Sequence, residues 1–134
     1  MKTRRERFDA YREIIREASR HPFAYGTNDC VLLVAAAVQR INGVDYTAEF
    51  LPYDMRKAQR LIRKAGGLVQ FISQFLGAAE TDIERIRVCD AAVVSAAGQE
   101  PAAGLWNGSS VTCLAPSGAV GVAANHIDVF WRIG

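Results

Sequence analysis

A chain of 134 residues, half of them hydrophobic, is long enough to bury a core within one domain without a metal or disulfide. This composition excludes a disordered or fibrous protein, and a net charge of +2 does not by itself favour nucleic acid as a partner. No apolar run reaches the roughly 18 residues of a membrane span, and the charged start lacks the apolar core of a signal peptide. We therefore expect a soluble product of the cytoplasm. Three cysteines without a CxxC pair indicate neither a disulfide framework nor a metal site, and we expect no cofactor.

The first predicted element is an amphipathic helix from about Arg4 to about Arg20. Thr3 and Glu6 have capping-box spacing before it, and apolar residues recur behind them at the helical interval. Its other face carries mixed charges, which favours solvent. Pro22 ends it, because a residue before proline is disfavoured in the helical region.

A second, central helix is predicted from Cys30 through the apolar run 31–38. Thr27 or Asn28 can cap it, which places Asp29 and Cys30 in the first turn, where backbone N–H groups lack partners and the helix dipole is positive. A thiolate is stabilised at such a position. Because the run is apolar on nearly every face, this helix should be the buried centre of the fold.

Two more helices and then a sheet are predicted after Asn42-Gly43, which ends the central helix. Residues 45–53 form an ordered loop or short turn, and helices follow over 55–65 and 68–76. The candidate strands are 87–94, 102–106, 110–114 and 127–133, with Asn107-Gly108 as a hairpin turn. Helices first and strands afterwards indicate an α+β fold with an antiparallel sheet.

The helix over 55–65 has the strongest local charge asymmetry in the chain. It carries five basic residues and no acidic one: Arg56, Lys57, Arg60, Arg63 and Lys64. The pattern fits a solvated face or a surface for an anionic partner. A nucleic-acid module would interleave aromatic residues with these cations, and the helix has none.

The segment Tyr25-Gly-Thr-Asn-Asp-Cys30, at the head of an apolar helix and before a strand-rich half, resembles the NlpC-type branch of papain-like cysteine peptidases. More narrowly, the chain is similar to small relatives encoded by phages and prophages among tail-assembly genes. The resemblance implies a compact papain-like domain over residues 1–134, with a cysteine-headed central helix packed on a C-terminal antiparallel sheet. It also implies hydrolysis of an amide bond in peptidoglycan stem peptides, and synthesis in a bacterial cytoplasm before incorporation into a virion tail.

Carried over residue by residue, the resemblance makes Cys30 the nucleophile and places Tyr25, Asn28, Asp29 and Trp106 beside the substrate. Alternatively, Trp106 and Trp131 are core aromatics or walls of a cleft. In the strand that relatives begin with Gly-Asp, this chain has Cys89-Asp90.

The relatives' histidine, in a His-x-Gly-x-aromatic strand, corresponds to Ala102. The third polar position of the family falls near Ser110 or Thr112. Neither residue is the usual orienting group of this superfamily.

A cysteine hydrolase needs a base for the thiol and an acid for the leaving amine. The chain has two histidines, His21 and His126, and His21 falls on the loop before the central helix. His126 begins the last predicted strand, and Asp128 lies two residues on, on the same strand face. We therefore take Cys30, His126 and Asp128 as the candidate catalytic set, with Asn125 as a second orienting residue. Alternatively, His126 is a structural residue of the strand edge and Cys30 a small packing residue.

Two main functional hypotheses follow. The first is a tail-associated NlpC-like hydrolase that opens the cell wall, with backbone N–H groups at the start of the central helix as its oxyanion site. The second is a catalytically degenerate adaptor of the tail tip that binds other tail proteins, which the alanine at position 102 favours. A third, an anion-binding module built on the helix over 55–65, predicts steep salt dependence.

Overall fold

The protein was analysed as a computed structural model that describes residues 2–96 and 98–134. Within this part of the chain there are four α-helices: α1 (Arg4–Ser19), α2 (Cys30–Asn42), α3 (Met55–Ala65) and α4 (Leu68–Leu76). Five strands follow: β1 (Ala91–Val94), β2 (Ala102–Trp106), β3 (Ser110–Ala115), β4 (Gly118–Ala123) and β5 (Ile127–Trp131). They form one antiparallel sheet in the order β4-β3-β2-β1-β5. The predicted α+β class and antiparallel sheet are confirmed.

Local sequence signals set most helix ends. At α1, Thr3 Oγ1 accepts a hydrogen bond from Glu6 N at 3.1 Å, and Thr3 N donates to Glu6 Oε1 at 2.9 Å, so the predicted capping box is present. Gly43 ends α2 in the left-handed conformation. The predicted N-cap of α2 was wrong: neither Thr27 nor Asn28 but Asp29 caps it, with Oδ1 accepting from Leu32 N at 2.9 Å.

The strands differ from prediction mainly at two places, while β3 ends one residue later than predicted and β5 ends at Trp131 rather than at residue 133. The first was predicted from Arg87 but begins at Ala91, because Cys89 has a φ of +72°, which is incompatible with extended backbone. β4 was not predicted at all. Its sequence of glycine, alanine and valine has no alternating pattern, and it lies at the sheet edge, largely exposed. Its pairing with β3 therefore comes from tertiary structure.

The two faces of the sheet bury different clusters. Ala91, Val93, Ala103 and Leu105 belong to the cluster that includes the buried side chains of α2, and we call this side the helix face. The opposite side, the far face, carries a second cluster: Ala92, Val94, Val111, Cys113 and Phe130. α2 lies mainly over β2, so the start of α2 is held against the middle of the sheet.

A buried ion pair fastens α1 to the chain around β1 and to the C-terminal residues. The Arg7 guanidinium donates to the Val88 carbonyl at 2.8 Å, the Ile133 carbonyl at 2.6 Å and Asp90 Oδ1 at 2.5 Å. Asp90 also accepts from the backbone N–H groups of Ile133 and Arg87, at 2.9 and 2.8 Å. One arginine therefore connects segments more than 80 residues apart.

Among the described residues, no helix combines the length and apolar character that crossing a membrane requires.

Candidate functional site

Cys30 is the first residue of α2 and lines a small cavity between α2, α3 and the loop before α3. The other walls are mostly apolar and include Tyr25, Tyr53, Leu61 and Phe71. The cavity has a volume of about 40 Å³, enough for one or two water molecules. We call it the Cys30 cavity. In this conformation it is too small for a peptide substrate.

The surroundings of Cys30 favour its thiol over its thiolate. Burial raises the pKa of the Cys30 thiol, and the neighbouring Asp29 carboxylate adds to the rise. Backbone N–H groups of Ala103, Cys30 and Val31 act in the opposite direction without cancelling it. The helix N-terminus therefore supplies the donors that the sequence predicted, but they do not outweigh desolvation.

Asp29 is buried, and both of its carboxylate oxygens accept hydrogen bonds from other groups of the protein. Besides capping α2 through Oδ1, it accepts hydrogen bonds at Oδ2 from Gly26 N, at 2.8 Å, and from the Tyr53 hydroxyl. Burial and this hydrogen bond raise the pKa of Tyr53 far above its usual value, so the phenol remains a donor. Asp29 thus joins the start of α2 to the loop before α3, and its role in substrate binding stays a prediction.

Of two other predicted substrate residues, Asn28 makes hydrogen bonds within the protein and Tyr25 is exposed. The Asn28 side-chain amide donates to the carbonyls of Ala18 and His21, at 2.8 and 3.0 Å, and so ties the end of α1 to the loop. Tyr25 is 44% exposed and forms an edge-on contact with Phe23. Of the predicted substrate residues, Tyr25 is the one with an exposed side chain on the Cys30 cavity.

The tight loop before Cys30 requires glycine at position 26. Gly26 has a φ of +83°, and a Cβ atom there would lie 2.0 Å from the Tyr53 carbonyl oxygen. The close approach of Gly26 to the Tyr53 carbonyl and the Asp29–Tyr53 hydrogen bond hold the loop before α3 over Cys30.

The structure does not bring His126 to the Cys30 cavity. His126 ends a 3₁₀ turn (Ala124–His126) before β5, and β1 lies between β5 and β2. Two strand spacings of about 4.8 Å therefore separate the start of β5 from the strand beneath Cys30. His126 does not line the cavity.

The predicted pairing of His126 with Asp128 rested on strand periodicity, which does not apply here. His126 lies outside the strand, and the β1–β5 register shifts next to Asp128. Asp128 accepts a hydrogen bond from the Ser95 hydroxyl, and Ser95 N donates to the His126 carbonyl at 2.9 Å. Asn125 is exposed. The dyad of Cys30 and His126 stays a prediction that no contact in the described residues supports.

The register of β2 settles which side chains approach Cys30. Ala102 pairs with Val94 and packs with the far-face cluster, whereas Ala103 pairs with Val93 on the helix face. The Ala103 N–H acts on the Cys30 sulfur. The residue of β2 that faces the cysteine is therefore Ala103 rather than Ala102, and neither alanine can serve as a base.

The remaining positions of the resemblance lie away from the thiol. Trp106 ends β2, four residues or about 13 Å beyond Ala102, and lines another cavity. Thr112, on the helix face opposite Leu105, shares a hydrogen bond of 2.5 Å with the Tyr11 hydroxyl. The Ser110 hydroxyl accepts from the Asn107 side chain at 3.0 Å. Neither side chain lines the Cys30 cavity.

Two further features of the resemblance have a physical explanation. Cys89 has the positive φ that favours glycine, the residue that the resemblance leads one to expect at this position. Asp90 is the buried partner of Arg7. Sequence reasoning missed Tyr53 at the candidate site, since no local pattern links it to Asp29, 24 residues away.

Clusters of three or more histidine, cysteine, aspartate or glutamate side chains suited to a metal ion are absent from the described part of the chain.

The comparisons give one family. A family described as a domain of unknown function (DUF6950) matches residues 3–133, nearly the whole chain. No curated protein matches this chain.

Proposed function

Because this chain belongs to the DUF6950 family, whose description names no activity, we propose a function from the site itself: a non-catalytic adaptor of a phage or prophage tail. The observation that carries the proposal is the state of Cys30. Burial raises the pKa of its thiol, and neither His21 nor His126 lines its cavity. The tail setting rests on the resemblance to small NlpC-type relatives.

The adaptor would bind its partner through α3, which separates apolar and basic residues onto two faces. Ala58, Leu61 and Ile62 line the Cys30 cavity, whereas four cations are exposed: Arg56, Arg60, Arg63 and Lys64. None of these four forms an ion pair within residues 2–96 and 98–134. An acidic face of another tail protein has the complementary charge.

The first experiment measures the alkylation rate of Cys30 against pH by mass spectrometry on the native protein. Cys89 and Cys113 serve as internal references, because burial raises their pKa values to about 11 and about 12. We expect Cys30 to react with an apparent pKa above the usual value of about 8.5, unchanged in His126→Ala. An apparent pKa well below 8.5 that rises in His126→Ala would contradict the adaptor.

The second experiment tests the surface. The chain is co-expressed with tail proteins from its own genome, and complexes are separated by size. Replacing the four exposed cations of α3 by glutamine should abolish the complex. The matched control replaces four exposed arginines, three in α1 and one directly after it: Arg5, Arg12, Arg16 and Arg20. Equal losses in both variants would indicate general charge attraction rather than docking through α3.

The NlpC-like peptidoglycan hydrolase remains a second candidate, because Cys30 is at the first position of α2 with backbone N–H groups around its sulfur. If this candidate holds, partner binding must open the Cys30 cavity and bring in a base. Purified cell wall would then release new amino groups with the wild-type complex but not with Cys30→Ser. No release by either protein favours the adaptor.

A further inference from the structure

A second cavity lies at the other end of β2 from Cys30. The start of α1, the segment before β1 and the turn between β2 and β3 enclose it. Its volume is about 460 Å³, within the range of small-molecule sites. Four basic side chains and one indole line it: Lys2, Arg4, Arg7, Arg87 and Trp106. We call it the basic cavity.

The basic cavity has a strong excess of positive charge. Asp90 pairs with two of these cations, at 2.5 Å from the Arg7 guanidinium and 3.5 Å from that of Arg87. Four of the described lining residues are cations and none is acidic. Lys2 and Arg4 form no ion pair within the described ranges. An anion in the cavity would meet cations that the fold has not neutralised.

Arg87 adds an independent observation. Its Nη2 atom donates to the carbonyls of Ile133 and Gly134, at 3.1 and 2.9 Å, so the guanidinium is held in place. Its Nε atom is buried without a hydrogen-bond partner, the one such side-chain atom in the described residues. Because Nε is closed to solvent while the side chain as a whole is 24% exposed, an anion in the cavity would contact the exposed part of Arg87 rather than Nε.

The Trp106 indole lines the cavity beside these cations. The Arg4 guanidinium lies close to the turn between β2 and β3, since its Nη2 atom would lie 4.0 Å from a Cβ atom at Gly108. An arginine guanidinium can donate two parallel hydrogen bonds to two oxygens of one phosphate, and an indole can stack on a planar ring. The two features together select a ligand with a phosphate and a ring.

We infer that the basic cavity binds a small anion that joins a phosphate to a planar ring, of the nucleoside monophosphate class. Arg4, Lys2 and Arg87 contact the phosphate, and Trp106 stacks on the ring. The inference does not rest on the proposed adaptor function, because the basic cavity shares no lining residue with the Cys30 cavity.

Calorimetric titration of the full chain with adenosine monophosphate, inorganic phosphate and adenosine tests the inference. We expect the nucleotide to bind at least tenfold more tightly than either fragment, and its affinity to fall as salt rises. Equal affinity for phosphate and nucleotide would overturn the role of the ring. No binding at about 1 mM nucleotide would overturn the site.

Matched variants locate the binding. Arg4→Gln should weaken nucleotide binding about tenfold, whereas Arg5→Gln, an equal loss of charge on an exposed neighbour outside the cavity, should change it less than about twofold. Trp106→Leu should weaken nucleotide but not phosphate binding. Thermal melting checks that each variant folds. Equal effects of Arg4→Gln and Arg5→Gln would assign binding to general surface charge and overturn the inference.

Discussion

Replacing Arg7 by methionine should cause the largest stability loss of any single change of an α1 arginine. Arg7 is 4% exposed and makes three hydrogen bonds of 2.5–2.8 Å, one of them to the fully buried Asp90. Methionine keeps much of the packing volume but leaves that carboxylate without its closest cation. Removing one partner of a buried ion pair costs about 3–5 kcal/mol, so we expect a loss in that range at pH 7.

The loss should also depend on pH. Burial already raises the pKa of Asp90, and Arg7 opposes that rise; without Arg7 the folded-state pKa rises further above the unfolded value. A carboxyl with a raised folded pKa favours folding at low pH, and this contribution disappears as pH increases through the folded pKa. The stability difference between wild type and Arg7→Met should therefore be smaller near pH 4 than at pH 7.

Urea denaturation followed by circular dichroism measures both quantities. Arg5→Met is the control, because it removes an exposed arginine from the same helix and should change stability by less than about 0.5 kcal/mol. A cycle with Asp90→Asn gives the coupling energy of the pair. A loss below about 1 kcal/mol, or one equal to that of Arg5→Met, would refute the view that this pair holds α1 in place.

Three other changes test the structure elsewhere, two of them in the loops around the candidate site and one at Cys89, before β1. Gly26→Ala should lower the free energy of unfolding by about 1–3 kcal/mol more than Gly43→Ala, as measured by urea denaturation. Both glycines have a positive φ, but only a Cβ atom at Gly26 would clash, with the Tyr53 carbonyl. Equal losses in the two variants would show that the positive φ alone is responsible. Tyr53→Phe should lower the free energy of unfolding by about 1.5–3 kcal/mol, because it removes the hydrogen bond to Asp29. Tyr46→Phe should be nearly neutral, because the Tyr46 hydroxyl has no hydrogen bond in the described contacts. A neutral Tyr53→Phe would contradict a stabilising role of the Tyr53–Asp29 hydrogen bond. Cys89→Gly should be at least as stable in thermal melting as Cys89→Ala, reversing the usual order, because φ is +72°; a clearly less stable glycine variant would show that lost packing dominates.

Most of the local structure could be predicted because its signals are short in range. The capping residues Thr3 and Glu6 and the terminating Gly43 act within one turn of helix. The bounds of α3 and β2 matched prediction because short-range breakers flank them: Gly66 ends α3, and Pro101 and Asn107 flank β2. β4 carries no such signal, and only its pairing with β3 makes it a strand.

The candidate site shows where sequence reasoning ends. The sequence alone placed Cys30 at the head of a buried helix, because apolar continuity and the polar run before it determine that position. Whether its thiol ionises depends on desolvation by α3 and Tyr53 and on the register that turns Ala103, rather than a base, toward it. The strand order places His126 two strands away from the strand beneath Cys30. The hydrogen bond between Asp29 and Tyr53 likewise joins segments that are distant in sequence. These properties arise from segments distant in sequence, so only the tertiary structure decides them.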